Sequence, residues 1–201
     1  FLIIRFFSKF FLVRFGRISS QRIGHFACTT ELYLCEMDHN INLPEVKFFD
    51  IFCLCDQISN TQIKIFWEKK LLILPPFLVN PFLFFIEKSK NASRHNVFHR
   101  DDLIEKKNFF AHRDTNNLID KSKIHFSFTE DETKYCNNVC NSIGINLRRK
   151  IALINIRDNS YFKKFHSDGD FARWDVKNCD IQNYTKSINY LIKNSYQVIR
   201  V

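Results

Sequence analysis

The apolar run Ile151-Ala-Leu-Ile-Asn-Ile156 delivers Arg157 and Asp158 into a polar turn. A guanidinium can hold a phosphate through two parallel N–H groups, and a carboxylate beside it can orient that guanidinium or bind a hydroxyl. Open α/β sheets build ligand sites outside the carboxyl ends of their strands. A salt-bridged surface loop uses the same residue types, so the pair alone leaves both readings open. A second basic group lies near the start, where Arg17, Arg22 and His25 follow the strand-like run Phe10-Phe-Leu-Val-Arg-Phe15. Free backbone N–H groups and the helix dipole suit an anion at the start of a helix. An ordinary strand-to-helix connection with exposed basic residues reads the same way. No Gly-x-Gly-x-x-Gly and no Walker A sequence occurs, and no cofactor is expected.

The 201 residues suffice for one ordinary domain, and a hydrophobic fraction of 45% is ample for a core. The formal charge of +9 admits an anionic partner, an anionic membrane surface or simply solvated lysine-rich faces. No helix-turn-helix, zinc finger or aromatic-basic platform stands out, so nucleic acid is not an expected partner. The seven cysteines are odd in number and follow neither a disulfide framework nor a zinc pattern. Reduced thiols in a cytoplasmic protein, with no metal site, are the expectation. His95, His99, His112 and His125 fit no metal spacing and read as exposed polar side chains. No stretch reaches the roughly 20 apolar residues of a membrane span. Residues 1–15 are interrupted by Arg5, Lys9 and Arg14. They read either as a buried strand or as a surface that lies on a membrane through Phe and basic residues.

The elements that must position these residues alternate. A strand over 10–15 leads to a helix over 21–37, with Ser19 or Ser20 as its N-cap. A strand over 46–55, a helix over 56–70, a strand over 71–74 and a helix over 77–90 follow. Residues 91–122 are rich in Asn, Asp, Lys, Arg and His and read as a polar insert or mobile loop. Thr129 and Glu132 form a capping box, Tyr135, Val139, Cys140 and Ile143 share one helical face, and Gly144 suits the helix end. A strand over 151–156, a helix over 180–193 capped by Asp180, and a strand over 197–201 complete the chain. The alternation predicts an α/β fold with a parallel sheet and crossover helices.

Several motifs agree in order with one bacterial family of glycosyltransferases. Asn155-Ile-Arg-Asp-Asn-Ser-Tyr161 resembles its His-Val-Arg-Asp-Ser-x-Tyr pattern. Asn178-Cys-Asp-Ile-Gln-Asn-Tyr184 and Ser195-Tyr-Gln-Val-Ile-Arg200 resemble its Arg-Asn-x-Asp-Ile-x-Asn-Tyr and Gly-Tyr-Tyr-Val-Ile-Arg-Met-Gly patterns. Arg14-Phe-Gly-Arg-Ile-Ser-Ser-Gln-Arg-Ile-Gly-His25, Thr30-Glu-Leu-Tyr-Leu34, Asp50-Ile-Phe52 and Phe128-Thr-Glu130 are similar to its N-terminal motifs. The family is distantly similar to GT-B fucosyltransferase-like enzymes. The resemblance implies a Rossmann-like N-terminal lobe of a GT-B architecture, residues 1–201, with the C-terminal lobe absent. The chain's start at Phe1 and its stop inside a strand-like run fit a fragment.

The resemblance further implies a nucleotide-sugar donor and a polysaccharide or glycolipid acceptor, met in the cytoplasm or at the inner membrane. Arg157 would contact the donor diphosphate, with Asn155, Arg17 and Arg22 as further binding candidates. Asp158 and His25 are the candidates for the general base. Two departures matter: Asn155 stands where the family has His, and Ser195 where it has Gly. An amide cannot take a proton near pH 7. The alternative is therefore a truncated, non-catalytic remnant that serves as a binding or scaffold module, with a possible membrane-surface contact.

Overall fold

Residues 11–18 and 47–54 each present side chains to two covered faces, and each forms a strand: β1 (Phe11–Ile18) and β2 (Lys47–Leu54). They pair in parallel, from Phe11 opposite Lys47 to Ile18 opposite Leu54. The computed structural model describes residues 2–89, 92–98, 114–158, 160, 164 and 178–201. These fall into two compact units, Phe1–Ser127 and Phe128–Val201.

In the first unit, single parallel bridges extend the β1–β2 pair at both edges, Phe15 with Asn96 and Phe52 with Ile73. The order across the sheet is Ile73, β2, β1, Asn96, which is third, second, first, fourth along the chain. The expected strand over 71–74 is thus a short bridge: Phe52 N donates to Leu72 O at 2.9 Å and Leu74 N to Phe52 O at 2.8 Å. Pro75 and Pro76 follow at once, and proline has no N–H with which to continue a ladder.

Helices cover both faces. A π-helical segment, His25–Thr29, runs into α2 (Thr30–Asp38), and with α3 (Thr61–Lys70) it packs on one face. Phe26, Tyr33, Ile63 and Trp67 meet Ile18, Phe52 and Leu54 there. Trp67 Nε1 donates to Phe26 O at 2.9 Å, which satisfies the one polar atom of that buried indole. On the other face, α4 (Pro76–Lys88) sets Val79, Leu83 and Ile86 against Phe15 and Cys53. A sheet covered on both faces explains why β2 reads as an almost unbroken apolar run. Gly16 sits opposite Phe52 in the register, and a Cβ there would lie 2.9 Å from the Phe52 ring and 3.1 Å from Phe98. Only glycine lets those two rings close over β1.

Arg14 and Asp50 are direct neighbours across the strands. Arg14 Nε donates to Asp50 Oδ1 at 2.7 Å and Nη2 to Oδ2 at 2.6 Å, with both side chains buried. Tyr33 OH, from α2, donates to the same Oδ2 at 2.6 Å. Burial first, and then the Asp50 charge, hold the Tyr33 phenol far above its ordinary range. It therefore serves as a donor at any physiological pH.

Several expectations change. Residues 2–7 form an exposed helix, α1 (Leu2–Phe7), and the buried strand begins only at Phe11. Ser20 does not cap a helix; its hydroxyl donates to Gln57 O at 2.7 Å and ties the loop after β1 to the loop after β2. His95 is fully buried rather than exposed, with Nδ1 2.7 Å from Val13 O. His125 is half-buried beside Glu31. Parts of the stretch read as an insert belong to the fold: Asn96 bridges β1, and Leu118 of α5 (Leu118–Lys121) packs on Leu32 and Cys35. His99, His112 and the rest of the expected loop over 99–113 lie outside the described residues.

The second unit opens with α6 (Glu130–Ser142), and its capping box is present in full. Thr129 Oγ1 accepts from Glu132 N at 3.2 Å, while Thr129 N donates to Glu132 Oε2 at 2.8 Å. Gly144 follows with φ +80°, the left-handed conformation that ends helices. β3 (Lys150–Ile154) and β4 (Tyr196–Arg200) pair in parallel, and α7 (Thr185–Lys193) precedes β4. The apolar face of α6 is exposed at Tyr135, Val139 and Ile143. Among the described residues of this unit none is fully buried. Its apolar side chains, such as Ile151, Ile154, Leu191 and Val198, are half-buried, and Gln197 receives Asn146 N at 2.9 Å and donates to Gly144 O at 2.8 Å.

Removing one partner of a buried ion pair leaves an uncompensated charge. Arg14→Met is expected to cost about 3–5 kcal/mol in urea unfolding, and Arg14→Met with Asp50→Leu to recover most of that loss. His95 supplies a pH test. Burial holds its imidazole below the ordinary value, the Arg94 and Arg5 charges add to this, and the bond to Val13 O opposes it. The unfolded chain takes up that proton near about pH 6.5 while the folded state does not. Stability is therefore full above that pH and falls as pH drops through it, by at most about 1.4 kcal/mol per unit. An NMR titration should find the folded His95 ring titrating below the unfolded chain's midpoint; a midpoint at or above it would refute this.

Candidate functional site

β3 and β4 end together at the Ile154–Arg200 pair, and Val201 N closes the ladder on Ile154 O at 3.1 Å. Beyond this edge the chain turns through residues 155–158. Cys179 N donates to Arg157 O at 3.1 Å, which draws residues 178–180 against the turn. The result is a cavity of about 410 Å³ at the carboxyl ends of both strands. That size falls in the range of small-molecule sites. Ile156 and Ile181 give it apolar walls, and Asp158, Asn178, Asp180 and Arg200 its polar ones.

Both carboxylates are held by backbone donors. Asp158 Oδ1 accepts from Ser160 N at 2.9 Å, and Asp180 Oδ1 accepts from Gln182 N at 2.9 Å. Asp180 thereby caps the short 3₁₀ turn Ile181–Tyr184 that leads into α7. The Tyr184 phenol is raised above its usual value by its hydrogen bond with Cys179 and by the charge there. An arginine and two fixed carboxylates lining one small open cavity suit a ligand that carries both hydroxyls and negative charge.

The six site candidates fall in both units. In the second, Asp158 lines the cavity. Arg157 is half-buried at the same turn and does not line it, and Asn155 is exposed just past β3. In the first unit, Arg17 is exposed on β1 and donates to Asn80 Oδ1 of α4 at 2.8 Å. Arg22 is exposed, and His25 is half-buried at the first position of the π segment. Arg173, Asp175 and His166 lie outside the described residues. The cavity residue that spacing did not single out is Arg200. Its signal was the parallel register, since a strand residue paired with the last residue of β3 must reach the same edge.

The first unit has its own cavity, of about 380 Å³, bordered by Leu12, Arg14, Pro44, Arg94 and Asn96. It lies at the amino ends of β1 and β2, opposite to where parallel sheets bind ligands, and its arginine on β1 is already bound to Asp50. The cavity at the β3–β4 edge is the stronger candidate. In comparisons with family models, curated proteins and solved structures, nothing matches this chain.

Proposed function

We propose that the chain carries a nucleotide-sugar half-site of a bacterial GT-B glycosyltransferase. The reaction would move a sugar from a nucleotide-diphosphate donor to a hydroxyl of a polysaccharide or glycolipid, with no further cofactor. The observation that carries the reading is the cavity at the carboxyl ends of β3 and β4, with Arg200 and Asp158 in its wall. In this reading Arg200, in the cavity wall, holds the diphosphate and offsets charge on the leaving group, and Arg157, at the adjoining turn, reaches the diphosphate only by turning its side chain toward the cavity. Asp158 binds a sugar or acceptor hydroxyl and takes the acceptor proton.

Two details of the fold support the reading. The order Ile73, β2, β1, Asn96 is the order of the first four strands of a doubly wound, Rossmann-like sheet. Ser195 adopts φ +63°, a left-handed conformation that favours glycine, and glycine is what the resembled pattern has there. Asn155 favours the rival reading, a non-catalytic binding module, because an amide replaces the histidine of that pattern.

Calorimetric titration with a panel of nucleotide-diphosphate sugars separates the readings. At least one is expected to bind saturably, and Arg200→Ala or Arg157→Ala to weaken it tenfold or more. Donor hydrolysis or transfer by a chain that also carries a C-terminal lobe would select the enzyme, and binding without either by that longer chain would select the binding module. No binding by any member would end both.

A peripheral membrane contact, at the cytoplasmic face of the inner membrane, is a compatible second reading. Leu2, Ile3, Phe6, Phe7 and Phe10 are all exposed, and Arg5 and Lys9 stand among them. Apolar side chains interleaved with cations suit an anionic lipid surface. Among the described residues no helix is long and apolar enough to cross a membrane. Flotation with vesicles containing phosphatidylglycerol should carry the chain at low salt, and Phe6→Ser with Phe7→Ser should reduce this severalfold. Equal flotation of the variant would place the contact elsewhere.

A further inference from the structure

Glu31, Cys35 and Asp38 lie on α2 at spacings of four and three, so they share one helical face. His125 returns to that face from 94 residues further on. Its backbone N donates to Glu31 Oε1 at 2.8 Å, and its ring Nδ1 lies 3.0 Å from the same oxygen. One ligand atom each from Glu31, Cys35 and His125 all lie within 4.8 Å of one another. The other ring nitrogen, Nε2, lies 3.0 Å from Asp38 Oδ2.

We propose that Glu31, Cys35 and His125 form a binding site for a divalent transition metal of the zinc class, with Asp38 orienting the histidine. A histidine that ligates through one nitrogen almost always gives its other N–H to a carboxylate, which fixes tautomer and ring direction. With metal bound, Nε2–H would donate to Asp38, 3.0 Å away, and Nδ1, beside Glu31, would be the ligand atom.

Two further observations point to a cation. Glu31 Oε2 is buried and has no hydrogen-bond partner in the protein, so an imidazolium on Oε1 alone does not account for this carboxylate. Cys35 is only 1% exposed and shares its helical face with two carboxylates, Glu31 and Asp38. A local excess of negative charge inside a chain of net charge +9 calls for a positive group. A donor set of one nitrogen, one sulfur and one oxygen suits Zn²⁺ or Co²⁺; Mg²⁺ and Ca²⁺ prefer all-oxygen shells. On binding, the Cys35 thiol loses its proton to solvent and the thiolate becomes the ligand. Three protein ligands leave a fourth position for water. Such an ion would tie α2 to the segment that carries α5 and His125, where Leu118 already packs on Cys35.

Cobalt titration into the intact chain tests this. A single Co²⁺ should give the visible bands of a tetrahedral ion and a near-ultraviolet thiolate-to-cobalt band, both removed by Zn²⁺. The thiolate band should vanish in Cys35→Ser and persist in Cys28→Ser, whose thiol is exposed. Asp38→Asn, which keeps all three ligands, should weaken binding about 10-fold or more. If Cys35→Ser does not fold, Glu31→Gln replaces it, and a large loss of cobalt affinity is expected there. Absence of the thiolate band in the folded parent chain would overturn the site, as would a band that survives Cys35→Ser or an affinity unmoved by Glu31→Gln.

Discussion

The buried Arg14–Asp50 pair joins β1 to β2, and Tyr33 of α2 donates to the same carboxylate. Two buried charges are tolerable only where each finds its partner, and this one does so through two parallel bonds and a phenol. The consequence is register. A slip of one residue between β1 and β2 would strand both charges among apolar neighbours and move every side chain to the opposite face. The same register sets Gly16 beside Phe52, which lets the Phe52 and Phe98 rings close over the sheet. It also sets Ile18 beside Leu54 at the carboxyl edge, where Ser20 joins the two following loops. The apolar cores on both faces are assembled around an alignment that the ion pair specifies.

The second unit is ordered differently. Its described residues include no fully buried side chain; half-buried apolar side chains are joined there by caps and side-chain clamps. The capping box of α6, the Asp180 cap and the two bonds of Gln197 each satisfy backbone groups that would otherwise be left at element ends. Those polar devices also shape the candidate site. Asp158 and Asp180 are held by backbone N–H groups, so their positions in the cavity wall are set before any ligand arrives. Fixed polar groups of this kind recognise a ligand with little reorganisation.

Short-range signals were legible. The strands at β1 and β2, the helices α3 and α4, the Thr129–Glu132 box and the left-handed Gly144 follow from periodicity, proline placement and hydrogen bonds that span a few residues. Asp158 was legible as a site candidate because a polar residue just past an apolar strand has few other places to go. Arg200 reaches the same cavity through its pairing with Ile154, 46 positions away in number but adjacent in space. No local pattern encodes that pairing. At α1 the sequence left a buried strand and a surface segment both open; the fold makes it a helix that packs Ile4 on the core and leaves Leu2, Ile3, Phe6 and Phe7 exposed.

The histidines draw the boundary most clearly. In sequence, His95 and His125 sit in polar surroundings and read as solvated. In the fold, His95 is sealed beneath β1 with Nδ1 against Val13 O, and His125 lies between Glu31 and Asp38. The sequence by itself determined an α/β chain of alternating parallel strands and helices, because hydrophobic period and turn chemistry act over a few residues. Tertiary structure alone decided which charges are paired, which arginine enters the cavity, and which cysteine, carboxylate and histidine converge. Those outcomes depend on contacts between segments tens of residues apart, and only packing brings them within bonding distance.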